Sequence, residues 1–169
     1  MLGGRVRAGE WSAVRVHLEN TGPAIDGELR LRGDAISGGS STSAYAIPIQ
    51  LATGARQEHL VLGKAGFFGG RYTAEVTQDG AVVASERLNL SAIDPAALGV
   101  FVVAERPEAI LADIRAAAGT RNGQPPAITS IAPEDLPWRV EAWGAVDRLI
   151  WQDVSADRLT ADQLSALRT

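Results

Sequence analysis

The chain contains no cysteine in 169 residues. That absence removes disulfides, thiolate zinc sites, iron–sulfur clusters and cysteine nucleophiles together, and it leaves the redox compartment open. Lysine is nearly missing as well: Lys64 stands beside fifteen arginines. With the abundant alanine and glycine, this reads as the coding bias of a GC-rich genome and not as an arginine-based site. Long hydrophobic runs are lacking. The longest, Ala96 to Ala104, is broken by Gly99 and is far too short to cross a bilayer. Met1-Leu2-Gly3-Gly4 has neither the basic start nor the apolar stretch of a signal peptide. The residues given therefore predict a soluble fragment with no direct membrane insertion. Charge of one sign is also missing. Up to Asp94 there are nine basic and ten acidic residues, and from Pro95 onward seven and ten. No basic stripe follows a phosphate backbone, so nucleic acid is excluded as a partner.

What is present falls into two grammars. Ser12 to Asn20 alternates, with Val14, Val16 and Leu18 on one face and Arg15, His17 and Glu19 on the other. A period of two marks a strand with one buried face. Gly27 to Arg32 repeats it through Leu29 and Leu31, and Tyr45, Ile47 and Ile49 mark a third strand whose Pro48 predicts an edge or a bulge. A mobile loop is expected over the Gly/Ser/Thr tract Ser37 to Ser43, and a fourth strand over Glu58 to Leu62. Arg71 to Thr77 and Ala81 to Leu90 meet at Asp79-Gly80, a pair suited to a tight hairpin. Six or seven such strands predict an antiparallel two-sheet β-sandwich. Tyr72, soon after Gly69-Gly70, resembles the tyrosine of immunoglobulin-like domains whose hydroxyl ties back to nearby backbone.

Near Pro95 the rhythm changes. Val100 to Ala104 is a solid apolar run, as in a parallel strand covered on both faces. Pro107 and Glu108 suit a first helical turn. Ile110, Leu111, Ile114, Ala117 and Ala118 recur at helical spacing before a stop at Gly119. Arg121-Asn122-Gly123 predicts a turn, Ala127 to Ala132 a second strand, and Pro133 to Pro137 a loop or single helical turn. Leu149 to Val154 predicts a third strand, and Thr160 with Gln163 a capping box. The reading is a β-α-β-α-β-α series, divided from the sandwich as residues 95–169 against 1–94. It ends inside a helix that would feed a fourth strand, which predicts a truncated or shortened unit.

Three stretches carry a family resemblance. Gly9-Glu10-Trp11 leads into Val14, Val16, Leu18, Asn20 and Gly22; Gly70 to Val76 follows; then come Trp143 to Asp153 and Leu159 to Arg168. In this order the chain resembles uncharacterised bacterial, membrane-anchored extracytoplasmic proteins. Those carry an immunoglobulin-like β-sandwich and then a domain similar to the class I glutamine amidotransferase fold. The resemblance implies a partial three-stranded parallel α/β unit of flavodoxin or amidotransferase type. It also implies an extracytoplasmic location, with the tether supplied by segments absent from this chain. It does not imply amidotransferase chemistry, which needs a cysteine on a strand-to-helix elbow.

The chemical candidates are few. His17 and His59, the two histidines, have no acidic cluster at ligand spacing, so no metal is expected. No G-x-S-x-G elbow supports a serine triad. Gly63-Lys64-Ala65-Gly66 fails phosphate-loop spacing, and Ala104-Glu105-Arg106-Pro107 offers no glycine for a pyrophosphate, so no cofactor is expected. Open α/β sheets bind ligands beyond the carboxyl ends of their strands. There Glu105, Arg106, Asp153 and Ser155 form the candidate ligand-binding set, against the plainer expectation that Arg106 pairs with an acid and Asp153 caps a loop. Trp11, Trp138, Trp143 and Trp151 suit either packing or a sugar platform.

The sequence thus predicts a non-catalytic binding or interaction module of a larger protein. The other readings are a ligand sensor, or a hydrolase or carbohydrate-processing protein whose remaining site residues lie further along. The expected partners are an unidentified protein, or a second copy pairing along the strand edge Leu149 to Val154.

Overall fold

The computed structural model describes residues 2–33, 44–64, 71–120 and 122–168. The expectations for Ser37 to Ser43, for Gly69-Gly70 and for Arg121 lie outside these residues. Mostly β-structure results, in the order the alternation requires. β2 (Trp11–Glu19) pairs antiparallel with β5 (Arg56–Lys64). A second antiparallel sheet runs β4 (Ala44–Leu51), β3 (Ile25–Gly33), β6 (Arg71–Gln78) and β7 (Ala81–Asn89). The inward residues of both sheets meet in one core: Val14, Val61, Leu29, Leu31, Ile49 and Val76 are all buried. Pro48 sits on β4, at an edge of the four-stranded sheet, where a missing N–H costs no ladder bond.

The β6–β7 hairpin turns at Asp79 (φ 51°) and Gly80 (φ 78°). Both lie in the left-handed region that a two-residue turn needs. Opposite the Val76/Thr77 step the register shifts, because Thr77 faces Val82 while Val76 faces Ala84. The extra residue, Val83, makes a bulge on the edge strand. Tyr72 is buried, and among the described residues its hydroxyl has no hydrogen-bond partner. The expected tie to nearby backbone is therefore not made there. Burial raises its ionisation above the ordinary tyrosine value.

Two short parallel strands link the halves, β1 (Arg5–Arg7) and β8 (Ser91–Ile93). Beyond them β9 (Gly99–Ala104) lies between β10 (Ala127–Ser130) and β11 (Arg148–Gln152), all parallel. The first strand is thus central and the third at the edge. α1 (Pro107–Ala117) lays Ile110, Leu111 and Ile114 over Val100, Val102 and Ile128. Ala117, placed on that face by its spacing, is exposed. The opposite face buries Phe101, Val103, Ile131 and Leu136 with Leu2 and Ile93, and α2 (Ala161–Leu167) adds Leu164 and Leu167. Leu2 and Ile93 precede Pro95 in sequence yet complete the core of the second half.

The second crossover carries the loop or single helical turn expected over Pro133 to Pro137, so the β-α-β-α-β-α series has no α-helix at this point. It consists of two 3-10 turns, Pro133–Asp135 and Val140–Trp143. Pro133 and Pro137 each remove an N–H and push the preceding residue toward extended geometry, so no α-helix propagates there. The third strand also stops earlier than expected, at Gln152, because Asp153 (φ 55°) turns the chain and sends Val154 into the core.

Candidate functional site

The parallel register sets Gln152 beside Ala104, so the residues that follow each strand emerge together. Between them lies a crevice of about 210 Å³, lined by Glu105, Arg106, Ala109, Ile110, Gln152 and Asp153. Asp153 holds a left-handed backbone, which aspartate tolerates better than most side chains. The Gln152 amide donates to its carboxylate at 3.3 Å. Arg106 occupies the cap position of α1, where no side chain caps the first-turn amides. Glu105, Arg106 and Asp153 are exposed. No ion pair ties any of them to another described residue, so Arg106 does not make the acid pairing that the plainer expectation gave it.

Ser155 does not join this set. The turn at Asp153 carries it away, and it caps the 3-10 turn Ala156–Arg158 instead. Its hydroxyl donates to the Asp157 carboxylate at 3.0 Å and accepts from the Asp157 amide at 3.3 Å. Both histidines lie on the β2–β5 sheet. His17 is exposed, with Nδ1 3.4 Å from Glu58, and His59 Nε2 lies 3.0 Å from the Gln57 side-chain oxygen.

A second concavity, absent from the sequence-based candidates, opens between the halves. About 270 Å³ in volume, it is walled by Arg15, Glu58 and Leu60 on one side and by Glu134, Asp135, Trp138 and Arg158 on the other. The alternation of β2 assigned Arg15 to an outward polar face. At Arg15 that face meets the second half of the molecule. The Arg15 guanidinium donates to Glu58 at 2.9 Å and to the Glu134 carbonyl, with Nε 3.5 Å from Asp135. Arg158 pairs with the Glu134 carboxylate. A third hollow, about 420 Å³, lies between β2 and β7 over Leu29, Val76 and Leu88.

The backbone amide of Glu134, followed by the Arg158 hydrogen bond, holds the Glu134 carboxyl below its ordinary value of 4.5. A carboxylate depressed on folding contributes stability above its ordinary value and loses it as pH falls through the lowered one. The Glu134→Gln variant is therefore expected to lose less stability than the parent on acidification. Thermal melts from neutral pH into the acid range check this, and parallel curves would count against it.

At the other end of the junction, Arg7 pairs with Asp147 and donates to the Ala97 carbonyl at 3.3 Å, while the Gly99 amide donates to Asp147 at 2.7 Å. The four tryptophans divide by role. The indole N–H groups of Trp143 and Trp151 donate to the Pro137 and Val154 carbonyls, at 3.3 and 2.7 Å. Trp11 packs edge-on against Tyr45. Trp138 walls the cleft between the halves.

Residues 1–91 match a family described as "Domain of unknown function (DUF8726)". A comparison with the curated proteins finds no match.

Proposed function

The chain belongs to the DUF8726 family, and we propose that it serves as a non-catalytic binding module of an extracytoplasmic, membrane-tethered bacterial protein. In this reading the two antiparallel sheets are an immunoglobulin-like sandwich that acts as a spacer. The three parallel strands are an amidotransferase-like unit that carries the ligand-binding edge of such sheets. The order of the two halves and the central place of the first parallel strand support it.

One observation carries the binding role. Two carboxylates and a guanidinium converge in the β9–β11 crevice with no ion-pair partner among the described residues. Such a set suits a small zwitterion, with its carboxylate on Arg106 and its ammonium between Glu105 and Asp153. A ligand that binds the folded state alone, at ten times its Kd, stabilises it by about 1.4 kcal/mol. For a chain of this length that is a rise of roughly 3–6 °C in Tm. A thermal-shift screen of amino acids, nucleotides and sugars is expected to give that rise with amino acids, and to lose it in Asp153→Ala. An unchanged response in Asp153→Ala would remove the crevice from the account.

A second reading rests on β11, which pairs only with β9 among the described residues. An unpaired strand edge recruits strands, so self-association through Leu149 to Gln152 is proposed alongside. Light scattering is expected to show a dimer at high protein concentration, and a strict monomer would end this reading.

A further inference from the structure

The cleft between the halves is separate from the β9–β11 crevice, and its chemistry points elsewhere. Every ionised side chain on its wall already has an opposite charge at hand. Glu58 and Asp135 flank Arg15, at 2.9 and 3.5 Å, and Glu134 pairs with Arg158. An anion entering here meets three carboxylates, and a cation must displace two guanidinium groups. A neutral ligand meets neither penalty. It finds carboxylate lone pairs left over after ion pairing, since each carboxylate offers about four acceptor sites. The two Arg15 Nη groups each keep a second N–H beyond the ones given to Glu58 and to the Glu134 carbonyl.

The aromatic wall adds a second, independent pointer. Trp138 is half-buried against the cleft, and among the described residues its indole N–H donates to nothing, unlike those of Trp143 and Trp151. An indole in that condition presents an apolar face and a polar edge to one ligand. Leu60, Leu136 and Pro137 complete the apolar lining. The volume, about 270 Å³, falls below the usual range for drug-sized sites and suits one six-membered ring with its substituents.

We infer that this cleft binds a neutral pyranose unit of a saccharide, with Trp138 as the stacking platform. The hydroxyls take hydrogen bonds from Arg15 and give them to Glu58 and Asp135. Because the same side chains join the two halves, the sugar bridges the sandwich and the α/β unit and braces them against each other.

The test is a nitrogen–proton NMR titration of the intact chain with methyl β-glucoside, N-acetylglucosamine and their β-1,4-linked disaccharides. The indole signal of Trp138 is assigned by its absence from Trp138→Phe. That signal is expected to move saturably with at least one pyranose probe, with Kd on the order of 1 mM. Glycine, glutamate and inorganic phosphate are expected to leave it in place. Glu58→Gln, a change at a partly exposed side chain that spares the core, is expected to weaken the sugar at least tenfold. An indole signal unmoved by every pyranose, or moved more by the charged probes, overturns the inference. So does undiminished affinity in Glu58→Gln. The titration reads the crevice separately through the amides of Glu105 and Asp153, so failure of one site leaves the other standing.

Discussion

Replacing Gly99 by alanine is expected to cost about 3 kcal/mol of stability, at the upper end of what overpacking usually costs. A Cβ built at Gly99 lies 2.1 Å from the Ala145 carbonyl oxygen and 3.3 Å from Arg7 Nη2. The first contact is with backbone, which cannot rotate aside as a side chain can. The backbone is also pinned from three directions: the Gly99 amide donates to Asp147 at 2.7 Å, its carbonyl accepts from the Asp147 amide at 2.9 Å, and β10 pairs with it through Ala127. Relief of the clash therefore requires moving β11's approach or giving up the Arg7–Asp147 pair that joins the halves. Gly119→Ala is the control. Nothing lies within 4 Å of its Cβ position and its φ is not left-handed, so the change is expected to be neutral or slightly stabilising. Urea denaturation of both variants measures the contrast, and equal midpoints would refute the packing described at Gly99.

Gln163→Leu is expected to lose a similar amount, about 3 kcal/mol, although leucine fits a buried helical position well. Gln163 is 5% exposed. Its oxygen accepts from the Thr160 amide at 2.9 Å, which closes the capping box of α2. Its amide nitrogen donates to the carbonyls of Pro133, Glu134 and Leu136 at 3.1, 3.2 and 2.8 Å. Leucine leaves these carbonyls without that donor, and a buried polar group left unsatisfied costs about 1–3 kcal/mol. Because the Pro133–Asp135 turn carries Glu134 and Asp135 to the cleft between the halves, the variant is also expected to loosen the junction. A denaturation midpoint equal to the parent's would show that the three carbonyls find other donors.

Much of this architecture was legible because hydrophobic rhythm reports burial directly. The alternation through Val14, Val16 and Leu18 reads as β2, the solid run Val100 to Val103 as a strand covered on both faces, and Asp79-Gly80 as the hairpin turn. The capping box at Thr160 was equally plain, since its signal is purely local. What stayed hidden involves partners distant in sequence. Arg15 follows the period of a solvent-facing residue, and nothing within β2 says that a second half meets it there. Gln163 reads as a cap from its spacing, while its three carbonyl contacts come from residues 27 to 30 positions earlier. Leu2 was a stray apolar residue ahead of the first alternation, yet it completes the second core. For the crevice, the rule that ligands sit at strand carboxyl ends placed Glu105, Arg106 and Asp153 together. Ser155, two residues past the left-handed Asp153, lies outside that lining and caps the next 3-10 turn instead.

Backbone-amide NMR of the intact chain under increasing glutamate tests the binding role most directly. The account predicts that shifts concentrate at Glu105, Arg106 and Asp153, saturate with added ligand, and vanish in Asp153→Ala. Shifts scattered over the surface, or none at these residues while binding occurs elsewhere, would contradict it.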